Sequence, residues 1–383
     1  MSKKIFISAI EPSADLHGSH LVKALLRQDP ELICYGYGGQ HLKATGIAIL
    51  DDLTDRSTIG FIEPIRHLFR FAIAYFRIKK ELQKTRPDLV VVIDAQGFHL
   101  PVLKAAKALG LKTAYFITPQ EWHWGSDEGG KSVIAVTDLL ICIFKQEAEF
   151  YSRLGGHVAY VGHPLVDSVV PKLSPEALRN TLNLSPTKPI LAIFPGSRKQ
   201  ELALTAPVLL EAASLISRKK DIQPVISVAA LHLEQKIRAL AIEARLPFAT
   251  FYTGDSASLI QAADLSLTTS GTITLEHAIL KKLAVVAYKF SPLSYRIAKF
   301  VLRKKLEKLR FMALPNMLAD AEIFPEFFQD KATASALAST GLALLDDATL
   351  RTERQSKLDG LPAQLGDPGV LDRAATALLT TLH

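Results

Sequence analysis

The chain has 383 residues, 48% of them hydrophobic, and a net charge of +7. That length allows two domains with substantial cores, and the composition excludes a disordered chain. Its two cysteines, Cys34 and Cys142, lie in apolar strand-like runs, as expected of reduced core thiols in an intracellular compartment. No Cys/His spacing matches a structural zinc site. No uncharged apolar run reaches the roughly 18 residues needed to span a membrane.

The first apolar run, Lys4–Ile10, ends at Glu11, too short for a secretory signal, and reads as a strand. Similar runs follow at Leu32–Tyr37, Leu89–Ile93, Thr113–Thr118 and Leu139–Phe144, separated by longer amphipathic stretches. This alternation predicts a doubly wound parallel sheet with helices on both faces. A second series, at Ile190–Phe194, Pro224–Val228, Phe248–Tyr252, Leu265–Leu267 and Ala284–Tyr288, predicts a second such sheet. Gly162–Ser168 and the polar stretch to Lys188 read as a linker. The expected architecture is α/β: two Rossmann-like doubly wound parallel-sheet domains, 1–168 and 186–345, facing a cleft. A helical C-terminal segment, 346–383, completes the chain.

Open sheets of this kind bind ligands at the C-terminal ends of their strands, so the strand exits carry the candidate residues. After the first strand, Pro12 suits the first turn of a helix and Asp15 reads as a cap, which leaves Glu11 as the candidate substrate contact. His17 and His20 read as polar-face histidines and not as a metal pair. Asp94 directly follows Val90–Ile93. A carboxylate there costs stability unless it has partners, and its place suits either a general base acting on a hydroxyl or a helix cap. Trp122 and Trp124 flank His123 past the next strand, an aromatic surface for a sugar or acyl chain, or a cover for the core.

Two stretches are basic. Over Ile59–Lys80, Phe61, Ile62, Ile65, Leu68, Phe69, Ile73 and Phe76 recur at helical spacing among Arg66, Arg70, Arg77, Lys79 and Lys80, with no acid between Glu63 and Glu81. This predicts a helix lying on an anionic membrane surface, with a core helix as the alternative. From Lys289 to Arg310, eight Lys/Arg face the single acid Glu307, which accounts for the chain's whole net charge and points to a local anionic partner. The segment has few aromatics and no recognisable nucleic-acid module, so nucleic acid is not expected.

The buried-strand pattern Ile190–Phe194 breaks at Pro195-Gly196 and continues as Ser197-Arg198 into a helix. A glycine permits close backbone approach, free helix amides favour an anion, and Arg198 can fork onto phosphate oxygens. A plain Pro-Gly exit with a surface arginine would look the same. Leu265–Thr269 then runs into Ser270-Gly271-Thr272 and a helix bearing Glu276, a second phosphate-type loop with a carboxylate suited to a ribose diol. Two such loops in one half-sheet weigh more than one.

These residues resemble a known family. Pro195–Arg198, Ser270-Gly271-Thr272 through Glu276 and Pro315-Asn316-Met317-Leu318 look like second-domain motifs of lipid A disaccharide synthases. Glu11-x-Ser13-x-Asp15, Tyr37-Gly38-Gly39, Ile93-Asp94, Pro119-Gln120-x-Trp122-x-Trp124 and Val161–Pro164 look like the first-domain and linker motifs, in the family's order. The resemblance implies an inverting GT-B glycosyltransferase that joins UDP-2,3-diacylglucosamine to 2,3-diacylglucosamine 1-phosphate. The products would be a β-1′,6-linked disaccharide 1-phosphate and UDP. It implies that UDP sits on the second domain, with Gly196, Ser197, Arg198, Ser270, Gly271 and Thr272 about the diphosphate and Glu276 on ribose. Asn316 would lie on the cleft side, Asp94 would be the base, and Glu11, Ser13 and Trp122 would lie on the acceptor side. No cofactor or metal is implied, since Arg198 would offset charge on the leaving UDP. The family works on membrane lipid, so the implied location is cytoplasmic and peripheral to the inner membrane, with homo-oligomers left open. The chain departs from the family pattern at Ile10 and Ala14, where glycine is usual, at His99 in place of asparagine, at His123 and at Phe144–Glu147. All lie on the acceptor side. The alternatives are another UDP-sugar enzyme of this architecture, such as a UDP-N-acetylglucosamine 2-epimerase, or a non-catalytic lipid- or nucleotide-binding relative.

Overall fold

A computed structural model describes residues 2–54, 64–291 and 310–382; the side chains of residues 64–70 and of Trp124 are not described. The start of the predicted interfacial helix and most of the 289–310 basic segment therefore lie outside the described residues. The chain divides into two units, one running to Asp167 and resuming at Leu365, the other spanning Ser168–Gln364.

The first unit carries seven parallel strands: β1 (Lys4–Ala9), β2 (Ile33–Tyr37), β3 (Ala48–Asp51), β4 (Leu89–Ile93), β5 (Lys112–Phe116), β6 (Leu139–Cys142) and β7 (Val158–Tyr160). Their order is β3-β2-β1-β4-β5-β6-β7. The second unit has six parallel strands: β8 (Ile190–Phe194), β9 (Gln223–Ser227), β10 (Thr250–Tyr252), β11 (Leu265–Thr269), β12 (Ala284–Tyr288) and β13 (Glu326–Phe328). They are ordered β10-β9-β8-β11-β12-β13. The central strands β4 and β8 are buried along their whole length, because helices cover both faces, and such strands read as unbroken apolar runs. The strands that the apolar pattern did not reveal, β3, β7 and β13, are edge strands of only three or four residues and only partly buried, too short to stand out as elements.

The last helix, Val370–Leu382, packs on the helix Pro12–Gln28 of the first unit. The Asp167 carboxylate accepts from the amides of Gly369 (2.7 Å) and Leu371 (3.0 Å), and the Arg373 guanidinium donates to the Val161 carbonyl at 2.7 Å. These partners lie about 200 residues apart in sequence. Chain order alone gives no hint of the association.

Two expectations about the first helix are corrected. Asp15 does not cap its own helix: buried at 2% exposure, it accepts from the amides of Gly39 (2.7 Å), His41 (2.9 Å) and Leu42 (3.1 Å), fixing the start of the helix Gln40–Lys43. His17 is not a polar-face residue. It is buried edge-on to His163, and burial lowers its pKa to about 4, so it is neutral. The departures at Ile10 and Ala14 are absorbed: Ile10 is not among the positive-φ residues and belongs to the apolar core with Phe6 and Tyr37, and Ala14 is buried within its helix.

Asp15→Ala leaves three amides without their acceptor and should destabilise the first unit by about 2–4 kcal/mol. Urea unfolding measures this. A midpoint equal to wild type would show that other acceptors serve these amides.

Candidate functional site

In the second unit, β8 and β11 are hydrogen-bonded neighbours on either side of the point where the strand order reverses. Their parallel course brings the loops after Phe194 and Thr269 to the same edge. There they line a cavity of about 330 Å³ with Gly196, Arg198, Ser270, Thr272 and Glu276 on its walls. A larger cavity of about 610 Å³, with Lys188, Arg218 and Lys220, lies at the opposite, N-terminal ends of β8–β10. It is shallow and carries none of the candidate residues, so the smaller one is the site.

The cavity's electrostatics differ from expectation in one respect. The amides after Gly196 are not free for an anion. The Glu201 carboxylate, 5% exposed, accepts from the amides of Ser197 (2.9 Å) and Arg198 (3.1 Å) and from Arg198 Nη1 (3.1 Å). Gly196 is needed for this arrangement: its φ is +97°, and a Cβ there would stand 2.4 Å from Glu201 Oε2. The anion-ready end is the other loop. Gly271, with φ +149° and open space where a Cβ would point, caps the helix Thr272–Ile279 without any side-chain acceptor. The Thr274 amide donates to the Gly271 carbonyl at 3.0 Å, and the amides of Thr272 and Ile273 at the helix start are the ones that suit a ligand. One turn further along the same helix stands Glu276, half-buried, receiving a hydrogen bond from the Ser256 hydroxyl. Burial lifts its pKa above the usual carboxylate range, and the Ser256 donor partly offsets this. One guanidinium, several hydroxyls and a helix start suit an anion, and the carboxylate suits a diol.

In the first unit the equivalent reversal lies between β1 and β4, which also pair directly. Glu11 follows β1 and Asp94 follows β4, so both candidates sit at one edge. Ser13 is exposed on the helix after β1. Asp94 has φ +55° and the next residue, Ala95, φ +51°; Ile117, just after β5, has φ +59°. Each such residue costs about 1–3 kcal/mol, and strain of this kind gathers at functional sites. Asp94 Oδ1 accepts from the Ala95 amide at 2.7 Å. Burial raises the Asp94 pKa, against the pull of that amide. Gln96 Nε2 donates to Glu121 Oε1 at 2.6 Å, tying the Asp94 loop to the turn that bears Trp122. Trp122 packs on Phe144, and its buried indole N–H has no hydrogen-bond partner among the described residues.

The cavity of the second unit brings together Gly196, Ser197, Arg198, Ser270, Gly271, Thr272 and Glu276. Asn316 is not with them. It is fully buried, its Oδ1 accepting from the amides of Ile323 (2.9 Å) and Phe324 (2.8 Å) and its Nδ2 donating to the Phe324 carbonyl (2.7 Å). The sequence reading missed Ser227, Thr269 and Ser256 on the cavity wall. Ser227 and Thr269 end β9 and β11, so the strand-edge rule was a usable signal for both. Ser256 follows the helix cap Asp255 and had no signal beyond that capping pattern.

Two doubly wound parallel sheets, each with its candidate side chains at the strand-order reversal, define an enzyme of GT-B architecture. UDP-GlcNAc 2-epimerase from Neisseria meningitidis, solved with UDP-GlcNAc, has this fold: the TM-score is 0.63 over 100% of this chain and 99% of that one, at 12% identity. Likeness at that identity shows the fold alone. The profile of the lipid-A-disaccharide synthetase family matches residues 5–376. The lipid-A-disaccharide synthase of Geobacter metallireducens is 33% identical over 386 residues, covering 100% of this chain and 98% of the relative. That of Coxiella burnetii is 33% identical over 95% of this chain and 94% of its own. The chain belongs to the lipid-A-disaccharide synthetase family, and it is a glycosyltransferase of lipid A biosynthesis.

Glu201→Ala removes the acceptor of two loop amides and the partner of Arg198. The second unit should lose about 2–3 kcal/mol of stability, read from a urea midpoint. An unchanged midpoint would mean that the loop holds its shape without this carboxylate.

Proposed function

We propose that the protein transfers 2,3-diacylglucosamine from its UDP derivative to 2,3-diacylglucosamine 1-phosphate. The products are a β-1′,6-linked disaccharide 1-phosphate and UDP. The second unit binds the UDP-sugar and the first the acylated acceptor. The observation that carries the reading is the half-buried Asp94 carboxylate at the β1/β4 edge of the first unit, matched by the cavity at the β8/β11 edge of the second.

Asp94 takes the proton of the acceptor hydroxyl. Its oxygen attacks the anomeric carbon from the face opposite the diphosphate, the bond from that carbon to the diphosphate oxygen breaks, and UDP leaves with the electron pair. Arg198 and the start of the helix Thr272–Ile279 offset the charge that builds on the leaving group. Glu276 accepts from the ribose hydroxyls in place of the Ser256 hydroxyl. Glu11, Ser13 and Trp122 face the acceptor sugar.

The lipid substrates require contact with a membrane, and the helix Pro64–Thr85 supports it: Ile73 and Phe76 are 53% and 65% exposed beside the exposed Lys79 and Lys80. No helix among the described residues is long and apolar enough to cross a bilayer. The exposed apolar and basic side chains of this helix suit a peripheral contact with an anionic surface, which this reading places at the cytoplasmic side of the inner membrane.

The testing experiment measures UDP release and product mass with both lipid substrates in detergent. A tetra-acyl disaccharide phosphate is expected. Conversion of a UDP-sugar to its epimer without free UDP would point to the epimerase reading. Asp94→Asn should lower kcat by about 100-fold or more, the usual contribution of a general base, with UDP affinity unchanged. The base works only when ionised and burial raises its pKa. Wild-type kcat/KM should therefore fall with decreasing pH at values above the ordinary aspartate range of about 4. A profile flat down to that range, or an active Asp94→Asn, would remove Asp94 from this role.

Replacing Ile73 and Phe76 together by serine should weaken binding to phosphatidylglycerol vesicles by about tenfold or more, since each large side chain contributes about 1.5–3 kcal/mol when buried. Vesicle flotation measures it. Unchanged flotation would move the membrane contact elsewhere.

A further inference from the structure

Asp94 is held from behind. Its main-chain carbonyl receives two side-chain donors: His99 Nδ1 at 2.6 Å and the Tyr115 hydroxyl at 2.8 Å. Its amide donates to the Phe116 carbonyl at 3.1 Å. A nitrogen facing a carbonyl must carry the proton, so Nδ1 of His99 is N–H and Nε2 is the acceptor. Nε2 meets the Ser8 hydroxyl at 3.0 Å, which therefore donates. Ser8 and His99 are both fully buried, on β1 and on the helix Gln96–Ala108, and Tyr115 is fully buried on β5. Two elements thus converge on one carbonyl, and β1 supports one of them through Ser8. Burial keeps the imidazole neutral, with a pKa of about 4, so the donor and acceptor ends stay as assigned.

The carbonyl they hold belongs to the first of two consecutive non-glycine residues with positive φ. Such a backbone relaxes unless its surroundings fix it. Relaxation of the Asp94 φ from +55° toward an ordinary negative value is a rotation about its N–Cα bond, and because the carbonyl carbon and Cβ both lie beyond that bond, it would swing the carbonyl away from both donors and turn the Cα–Cβ bond with it. We propose that His99 and Tyr115 are positioning residues for the reaction: by clamping the Asp94 carbonyl they fix the direction of its carboxylate toward the acceptor hydroxyl. The inference rests on the reading of Asp94 as the base. Neither side chain touches substrate in this account.

The test compares His99→Phe, Tyr115→Phe and His99→Asn in the full chain, each alone and on the Asp94→Asn background. His99→Phe keeps the ring volume and removes the donor, so kcat should fall by about 10- to 100-fold, as for a misplaced catalytic group, with KM and UDP affinity within about twofold. Tyr115→Phe should lower kcat by a smaller factor in the same direction. The amide nitrogen of asparagine reaches the place of Nδ1, so His99→Asn should recover kcat to within about threefold of wild type. On the Asp94→Asn background none of the three should cost anything further. A folded His99→Phe with wild-type kcat, or losses that add to that of Asp94→Asn, would overturn the positioning role and leave the base intact. Should His99→Phe fail to fold, Tyr115→Phe decides by the same criteria. Wild-type turnover in Asp94→Asn itself would instead remove the base, and the clamp with it.

Discussion

In each unit the two strands flanking the reversal of strand order are direct, parallel, hydrogen-bonded neighbours: β1 with β4, and β8 with β11. Parallel pairing sends both chains out of the sheet at the same edge. Because their connections leave on opposite sides, a crevice opens between them. Every candidate residue that the structure gathers depends on that constraint. Glu11 and Asp94 follow one pair of strands; Gly196–Arg198 and Ser270–Glu276 follow the other. A single antiparallel substitution in either pair would carry one of the loops to the far edge.

Burial then sets the charge state of these edges, acting on acids and bases alike by penalising the ionised form. His99, His163 and His277 are fully or almost fully buried, with pKa values lowered to about 4, about 3 and about 4, and serve as neutral hydrogen-bonding groups. The same penalty raises Asp94 and Glu276, and lifts the fully enclosed Glu147 to about 7 despite the amides of Ile143 and Phe144 that it accepts from. Neutral histidine beside an ionisable carboxylate is what a base needs, because a cationic imidazole at Asp94 would stabilise the carboxylate and weaken it as a proton acceptor.

Glu201 shows how a motif can be right in place and different in mechanism. Pro195-Gly196-Ser197-Arg198 does form a strand exit at a cavity, but an internal carboxylate already fills the loop's amides and pairs with its arginine. The loop is therefore shaped before any ligand arrives, and Arg198, with 62% of its side chain exposed, is the part left to meet one. Held at one end by Glu201, the guanidinium loses less freedom on binding an anion than a free side chain would.

The two sheets, their central strands and the loops that carry the candidates are legible in the order of residues. Buried parallel strands must be continuous apolar runs, and glycine, proline and polar residues must follow them where the chain leaves the core. The family is legible in the same way, through motifs spread in order along most of the chain. The sequence could not show the edge strands β3, β7 and β13, which are only three or four residues long, nor the return of the last helix to the first unit, which rests on contacts about 200 residues apart. Nor could it separate side chains that meet ligand from those that support the ones that do. Asn316 and Asp15 lie in family-like motifs yet spend their polar atoms on internal amides, while His99, a departure from the pattern, holds the Asp94 carbonyl. These roles emerge in the folded arrangement, because a hydrogen bond is fixed by distance and direction between atoms, and residue type specifies neither.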